Sequence, residues 1–436
     1  MDQRDRRNYR VLVALLIILG GLFLMRGPVR AVSGGSDLVH LYVAAALFVE
    51  GGDPYSGQAC VDRAGEAGYP NPDHVADGSF YPLPTLAALA PLGMMGWPVA
   101  RLVWLVLNLI ACVVLVWSVA QWLAVREPRM RWLVAVLLVV AWGPVATTLS
   151  LGQLSLVPPA MICAALVLLD RGRTVWAGVL IGVASVVKPQ LGLGFLVLLP
   201  FMCAWRALGA GVLTIVAIWL VAFVRVYAAH GISFDYSPIP YSVGNSLMEG
   251  GMMDASLNGP FRYQMIDLNP LLHIFLLQPI VTPLAFLIVA LLAFAALARL
   301  IRLGVRRHLL LAASGVGLLL LLPVYHRYYD AVLLIPLLVL VVNELLRDRR
   351  NTTAWVVGLA MLPLFFPIPA LLARLVQRGT VPESLADNAL WQHVLMQHQS
   401  WCLLIATIAL VVWTWRLPLP TEASQQQGSD EDKSAV

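Results

Sequence analysis

The chain is predicted to be an all-α polytopic membrane protein of about twelve transmembrane helices, and three observations carry that reading. Hydrophobic residues fill 60% of its 436 positions and charged residues only 12%, with a mean hydropathy of +0.80. A soluble domain carries about 25% charged residues, so the natural solvent of this sequence is lipid. Apolar runs approaching the roughly 17–25 residues that a span needs recur from end to end. The basic residues, 29 in all, gather mainly in alternate short loops, the asymmetry that orients a polytopic chain.

Taken in order, the first run covers 11–26 and follows "MDQRDRRNYR". A cleaved signal peptide has the same look, but the further runs downstream make this a retained signal-anchor helix. Residues 27–97 form a large outer loop. Within it "YPLPTLAALAPLGMMGWP" is apolar, yet Pro82, Pro84 and Pro91 argue against a spanning helix. Counting it as a span also puts "VREPRMR" (125–131) on the outside, against the charge rule. Residues 36–50 and 84–96 are therefore expected as two helices in the outer interface, each with one apolar face.

Spans follow at 98–122, 131–149, 154–170, 174–188, 191–205, 208–229, 280–300, 307–324, 330–346, 354–373 and 400–416. Both termini come out cytoplasmic, with 230–279 and 374–399 as further outer loops. The stretch 1–416 reads as one polytopic domain. The tail, 417–436, is polar, low in complexity and expected to be disordered.

Several function classes drop out. The net charge of +5 invites nucleic acid, but the arginines are scattered over short loops and form no basic face. Five cysteines, without ligand spacing, support neither zinc nor a disulfide framework. No Gly-rich nucleotide loop is visible, and nothing in the sequence requires a divalent metal or another cofactor.

The polar chemistry is pushed to one side. Mid-span positions are nearly free of charge, with Asn108 the clearest polar exception. The predicted outer face carries "SDLVHLY" (36–42), "GGDPYSG" (51–57), "FYPLP" (80–84), "SLGQLS" (150–155), "VKPQ" (187–190), "GNSLMEGG" (244–251) and "VYHRYYD" (324–330). A transporter or flippase of a lipid-linked sugar, the alternative, predicts paired interrupted spans and polar groups near the midplane. The one-sided arrangement suggests an outward-facing enzyme site instead.

In their order and on their common side, these stretches resemble glycosyltransferase family 87, polyprenyl-phosphate-sugar-dependent enzymes of the C-type membrane glycosyltransferase fold. The chain departs from the family's pattern at Leu41, at Leu83 and at Ser155. The resemblance implies transfer of a sugar, mannose by precedent, from a polyprenyl-phosphate donor to a glycolipid or glycan acceptor on the outer face of the cytoplasmic membrane. It implies that Asp37 is the general base of an inverting transfer, taking the proton of the acceptor hydroxyl. The plainer reading of Asp37 is a helix cap. His40, three residues on, shares its face.

Lys188 is one of only two lysines in the chain. A lone ammonium among arginines suits a lipid phosphate, while the bland reading is snorkelling. His326 and Arg327, among Tyr325, Tyr328 and Tyr329, can hold a leaving phosphate or simply belong to an aromatic belt. Tyr42, Tyr81, Gln153 and Asn245, with His40, are candidates for contacts to the sugar or acceptor. Asp53, between glycines and a proline, reads as turn chemistry.

Overall fold

Every regular element of the computed structural model, which describes residues 3–231, 254–257, 259, 261–276 and 278–419, is helical. The single extended pairing among the described residues is an antiparallel bridge between Met265 and Arg327. Asn245 and the tail beyond residue 419 lie outside the described residues.

Helix α1 (Gln3–Arg26) leads through α2 (Pro28–Ser33) to α3 (Ser36–Glu50), α4 (Gly57–Glu66) and α5 (Leu83–Gly93). The body follows as α6 (Trp97–Trp122), α7 (Pro128–Ala141), α8 (Gly143–Leu151), α9 (Val157–Asp170), α10 (Thr174–Val187), α11 (Pro189–Phe201) and α12 (Trp205–His230). The last third holds α13 (Gln278–Leu303), α14 (Leu309–Leu321), α15 (Ile335–Arg347), α16 (Thr352–Met361), α17 (Ile368–Gln377) and α18 (His398–Arg416). A 3-10 segment, Tyr328–Leu334, feeds α15.

Each of the twelve expected spans overlaps helical chain, two of them broken helices, and they are not alike. Six helical stretches are long and apolar enough to cross a bilayer, or eight if two bent pairs each count as one span. The bends have local causes. Gly143-Pro144 turns α7 into α8 through 56°, and Pro367 and Pro369 turn the end of the Thr352–Phe365 segment into α17 through 42°. Prolines at the starts of α9 and α11 cut the region 154–201 into helices of 10–17 residues. The outer wall is apolar: Ile17, Leu213, Leu291 and Phe294 are all exposed. Such a surface suits contact with lipid.

The expectation of two interfacial helices, each with one apolar face, is corrected for α3. From Leu41 to Phe48 every residue is buried, as are Leu38 and Val39. "LVHLYVAAALF" is apolar around its whole circumference, so a helix built from it is enclosed by protein rather than laid on a surface. α5 covers it, and Gly93 permits the contact, since a Cβ there would stand 2.5 Å from Ala45 and Ala46 backbone atoms. The N-terminal helices α3–α5 thus form a second packed core beside the main one.

Candidate active site

Asp37 stands in the first turn of α3, but it is not the cap. The N-cap is Gly35, and no side chain caps this helix. The carboxylate instead accepts a short hydrogen bond from the Gln153 amide and a 3.1 Å bond from the Ser36 hydroxyl. It remains only half-buried. Gln153 reaches it because α8 ends on Gly152 in the left-handed region, φ 70°. A Cβ on Gly152 would come within 2.8 Å of the Leu38 Cβ, so only glycine lets the turn sit against α3. Trp104 pins the turn by donating its indole N–H to the Gly152 carbonyl at 2.8 Å.

Two residues further along the same turn, Ser155 enters a buried polar cluster. Its hydroxyl lies 2.5 Å from an Asp330 oxygen and 2.6 Å from the Lys188 ammonium. Lys188 makes a close ion pair with that same oxygen, and the other Asp330 oxygen is 2.9 Å from His326 Nδ1. Lys188 sits between α10 and α11, where Pro189 interrupts the helix. The opposite wall is the 3-10 segment, held by Trp142 donating to the Ala331 carbonyl at 3.0 Å and Tyr328 donating to the Leu364 carbonyl at 2.9 Å. His326 is fully buried, and its Nε2 has no hydrogen-bond partner among the described residues. Asp267 accepts the His326 backbone N–H at 3.1 Å. Burial pushes the Asp267 carboxyl up to about 6, against the pull of that bond and those from Asn269.

A cavity of about 500 Å³ adjoins this cluster. Arg327 and Tyr329 line it, and Tyr329 also lies under the Lys188 ammonium, 5.2 Å from its ring centre. The Arg327 guanidinium rests 4.3 Å over the Phe261 ring and donates to the Tyr325 hydroxyl. Tyr81 enters from the loop before α5, fixed by Tyr55 donating to its carbonyl at 2.9 Å and by Thr85 donating to the Val186 carbonyl at 2.8 Å. Burial, then the charge of Asp37, pushes the Tyr81 phenol up; burial pushes that of Tyr325 to about 12. Both stay neutral hydroxyls able to donate.

The structure therefore brings Asp37, Gln153, Tyr81 and Arg327 into one neighbourhood, with Lys188 and His326 behind them. Tyr42 is elsewhere: it is buried, its ring tilts on Trp97, and its hydroxyl donates to the Met95 carbonyl at 3.0 Å. His40 stacks edgewise on His74 at 4.9 Å, and its buried Nδ1 has no partner among the described residues. Asp53 accepts the Tyr55 N–H at 2.9 Å, the turn its sequence suggests. Among the described residues no group of three His, Cys, Asp or Glu could hold a metal ion.

Sequence reasoning missed Ser155 as the bridge, Asp267, and three further arginines of the cavity, Arg26, Arg30 and Arg374. For the arginines a signal existed. Arg26 and Arg30 bracket Gly27-Pro28 at the predicted outer end of the first span, where the charge rule leaves few basic residues.

The sequence profile of glycosyltransferase family 87 matches residues 80–323, more than half of the chain. The match takes in Tyr81, Gln153, Ser155 and Lys188, while Asp37, His326 and Arg327 fall outside it. No curated protein and no solved structure matches the chain. The chain belongs to glycosyltransferase family 87, a membrane glycosyltransferase that takes a sugar donor and an acceptor in a lipid environment.

Proposed function

We propose that the protein transfers a sugar, mannose by family precedent, from a polyprenyl-phosphate donor to a hydroxyl of a glycolipid or glycan on the outer face of the cytoplasmic membrane. The observation that carries this reading is the half-buried Asp37 carboxylate, oriented by Gln153 and within electrostatic reach of Arg327, which lines an arginine-bearing cavity. Asp37 takes the acceptor proton as the acceptor oxygen bonds to the anomeric carbon. The bond from that carbon to the phosphate oxygen breaks, its electron pair stays on the phosphate, and the configuration inverts. Arg327 faces the developing phosphate charge, and Tyr81 and Gln153 supply neutral hydrogen-bond partners to sugar hydroxyls. With both termini in the cytoplasm, as the asymmetry of basic residues predicts, the site faces outward, where a sugar arrives on a lipid rather than on a nucleotide.

We read the buried pairing of Lys188 with Asp330 as structural, a different part from that suggested by its isolation in the sequence. It fixes the Ser155 turn and the 3-10 segment, while the phosphate is left to Arg327. Reconstitution of the purified full chain with polyprenyl-phosphate mannose and a glycolipid acceptor tests the proposal. The product should carry the anomeric configuration opposite to the donor; retention, or no transfer from any polyprenyl-phosphate sugar, contradicts it.

A further inference from the structure

Four arginines from separate elements reach the cavity beside Asp37: Arg26 at the end of α1, Arg30 in α2, Arg327, and Arg374 in α17. Among the described residues that line it there is no aspartate or glutamate. Among the described residues, none of Arg26, Arg327 and Arg374 is ion-paired with a carboxylate. Guanidinium groups gathered in one cavity repel one another, and an anion between them relieves that repulsion.

The cavity does not end at the arginines. An apolar groove of about 390 Å³ adjoins it and shares Arg26, Gly143, Ala146 and Phe366 with it. Leu19, Leu22 and Phe23 of α1 form one side of the groove, and Val140 and Ala141 of α7 with Phe365 form the other. Gly143, at the α7–α8 bend, lines both cavity and groove. A cationic chamber sharing a wall with one apolar groove matches an anionic head on one long hydrocarbon chain.

We infer that chamber and groove form a single seat for a membrane-borne isoprenoid phosphate, with the chain between α1 and α7 and the phosphate among Arg26, Arg30, Arg327 and Arg374. The inference rests on the lipid-phosphate donor proposed above and adds where it is held and how the seat acts. In the donor the phosphate is a diester with one negative charge. When the anomeric carbon–oxygen bond breaks, the electron pair and its charge stay on the phosphate, which becomes a monoester of charge about −1.5 to −2. The arginines therefore grip the leaving group more tightly than the donor, and that difference accelerates transfer. It also makes the spent carrier a product inhibitor competitive with donor.

The test is direct binding to the purified full chain in detergent micelles, independent of transfer, with polyprenyl phosphate, polyprenol, inorganic phosphate and phosphatidylglycerol as probes. Wild-type protein should bind polyprenyl phosphate far more tightly than the other three. Arg26→Gln and Arg374→Gln should each weaken that binding about tenfold or more, the loss expected for one charge-assisted contact. Arg378→Gln, on the same side of the chain but outside the cavity, should bind as wild type. Leu22→Trp, which fills the groove, should weaken polyprenyl phosphate and spare geranyl phosphate. Thermal unfolding without lipid checks that each variant folds; both arginines are exposed, so unfolding midpoints should be unchanged. Unaltered binding in Arg26→Gln and Arg374→Gln overturns the seat but leaves the proposed donor standing. No binding of polyprenyl phosphate by wild-type protein overturns both. Equal binding of phosphatidylglycerol or polyprenol overturns the match of head to chain.

Discussion

Asp37 and Lys188 show how differently two rare ionisable residues behave in an apolar chain. Asp37 keeps one face open and is held by neutral donors, Gln153 and Ser36. Lys188 and Asp330 are buried on each other, with Ser155 and His326 completing the carboxylate's shell. Removing one member of such a pair strands a charge and costs roughly 3–5 kcal/mol, whereas removing both is often neutral. Lys188→Met should therefore lower the thermal midpoint sharply, and Lys188→Met with Asp330→Leu should recover most of it. A stable Lys188→Met protein that has lost only donor affinity would contradict the structural part and return Lys188 to the phosphate. The prominence of Lys188 was legible in the sequence; its partner was not, because the two residues are 142 positions apart. Only the fold brings α10 and the 3-10 segment together.

At the scale of elements, the helices were legible because apolar length and proline placement are local. The boundaries at Trp97–Trp122 and His398–Arg416 lie within two residues of those expected from the sequence alone. The enclosure of α3 was not legible, since an interfacial and an internal helix can share an apolar sequence and differ only in what covers them. The decisive contact is the Gly152 turn against Leu38, which sets Gln153 on Asp37. Gly152→Ala forces a side chain into the left-handed region, about 1–2 kcal/mol, and a Cβ to 2.8 Å from its neighbour. The turn must move away from α3. Transfer should fall by more than the modest loss of thermal midpoint explains, and a Gly152→Ala protein with full turnover would show that the Gln153 contact is dispensable.

Across the whole molecule, the pieces of the site come from both cores and from six separate stretches of sequence. Asp37 belongs to the N-terminal core, Tyr81 to the loop that precedes its covering helix, and Gln153, Arg327, Arg26 and Arg374 to elements around the main body. Order along the chain made the family legible, and the match over residues 80–323 agrees. The arginine chamber stayed hidden because its members are 348 positions apart at the extremes, Arg26 and Arg374, and each alone looks like a span-end residue. We propose that this assembly exists to let Asp37 accept a proton from the acceptor. Asp37→Asn keeps the shape and a hydrogen-bond acceptor for Gln153, but it cannot take the proton. With the variant purified and reconstituted, the turnover of sugar transfer at saturating donor and acceptor is the decisive quantity. It should fall roughly 10²–10⁴-fold, with donor binding and thermal midpoint close to wild type and with Asp53→Asn retaining most activity; near wild-type turnover in Asp37→Asn would show that Asp37 is not the base.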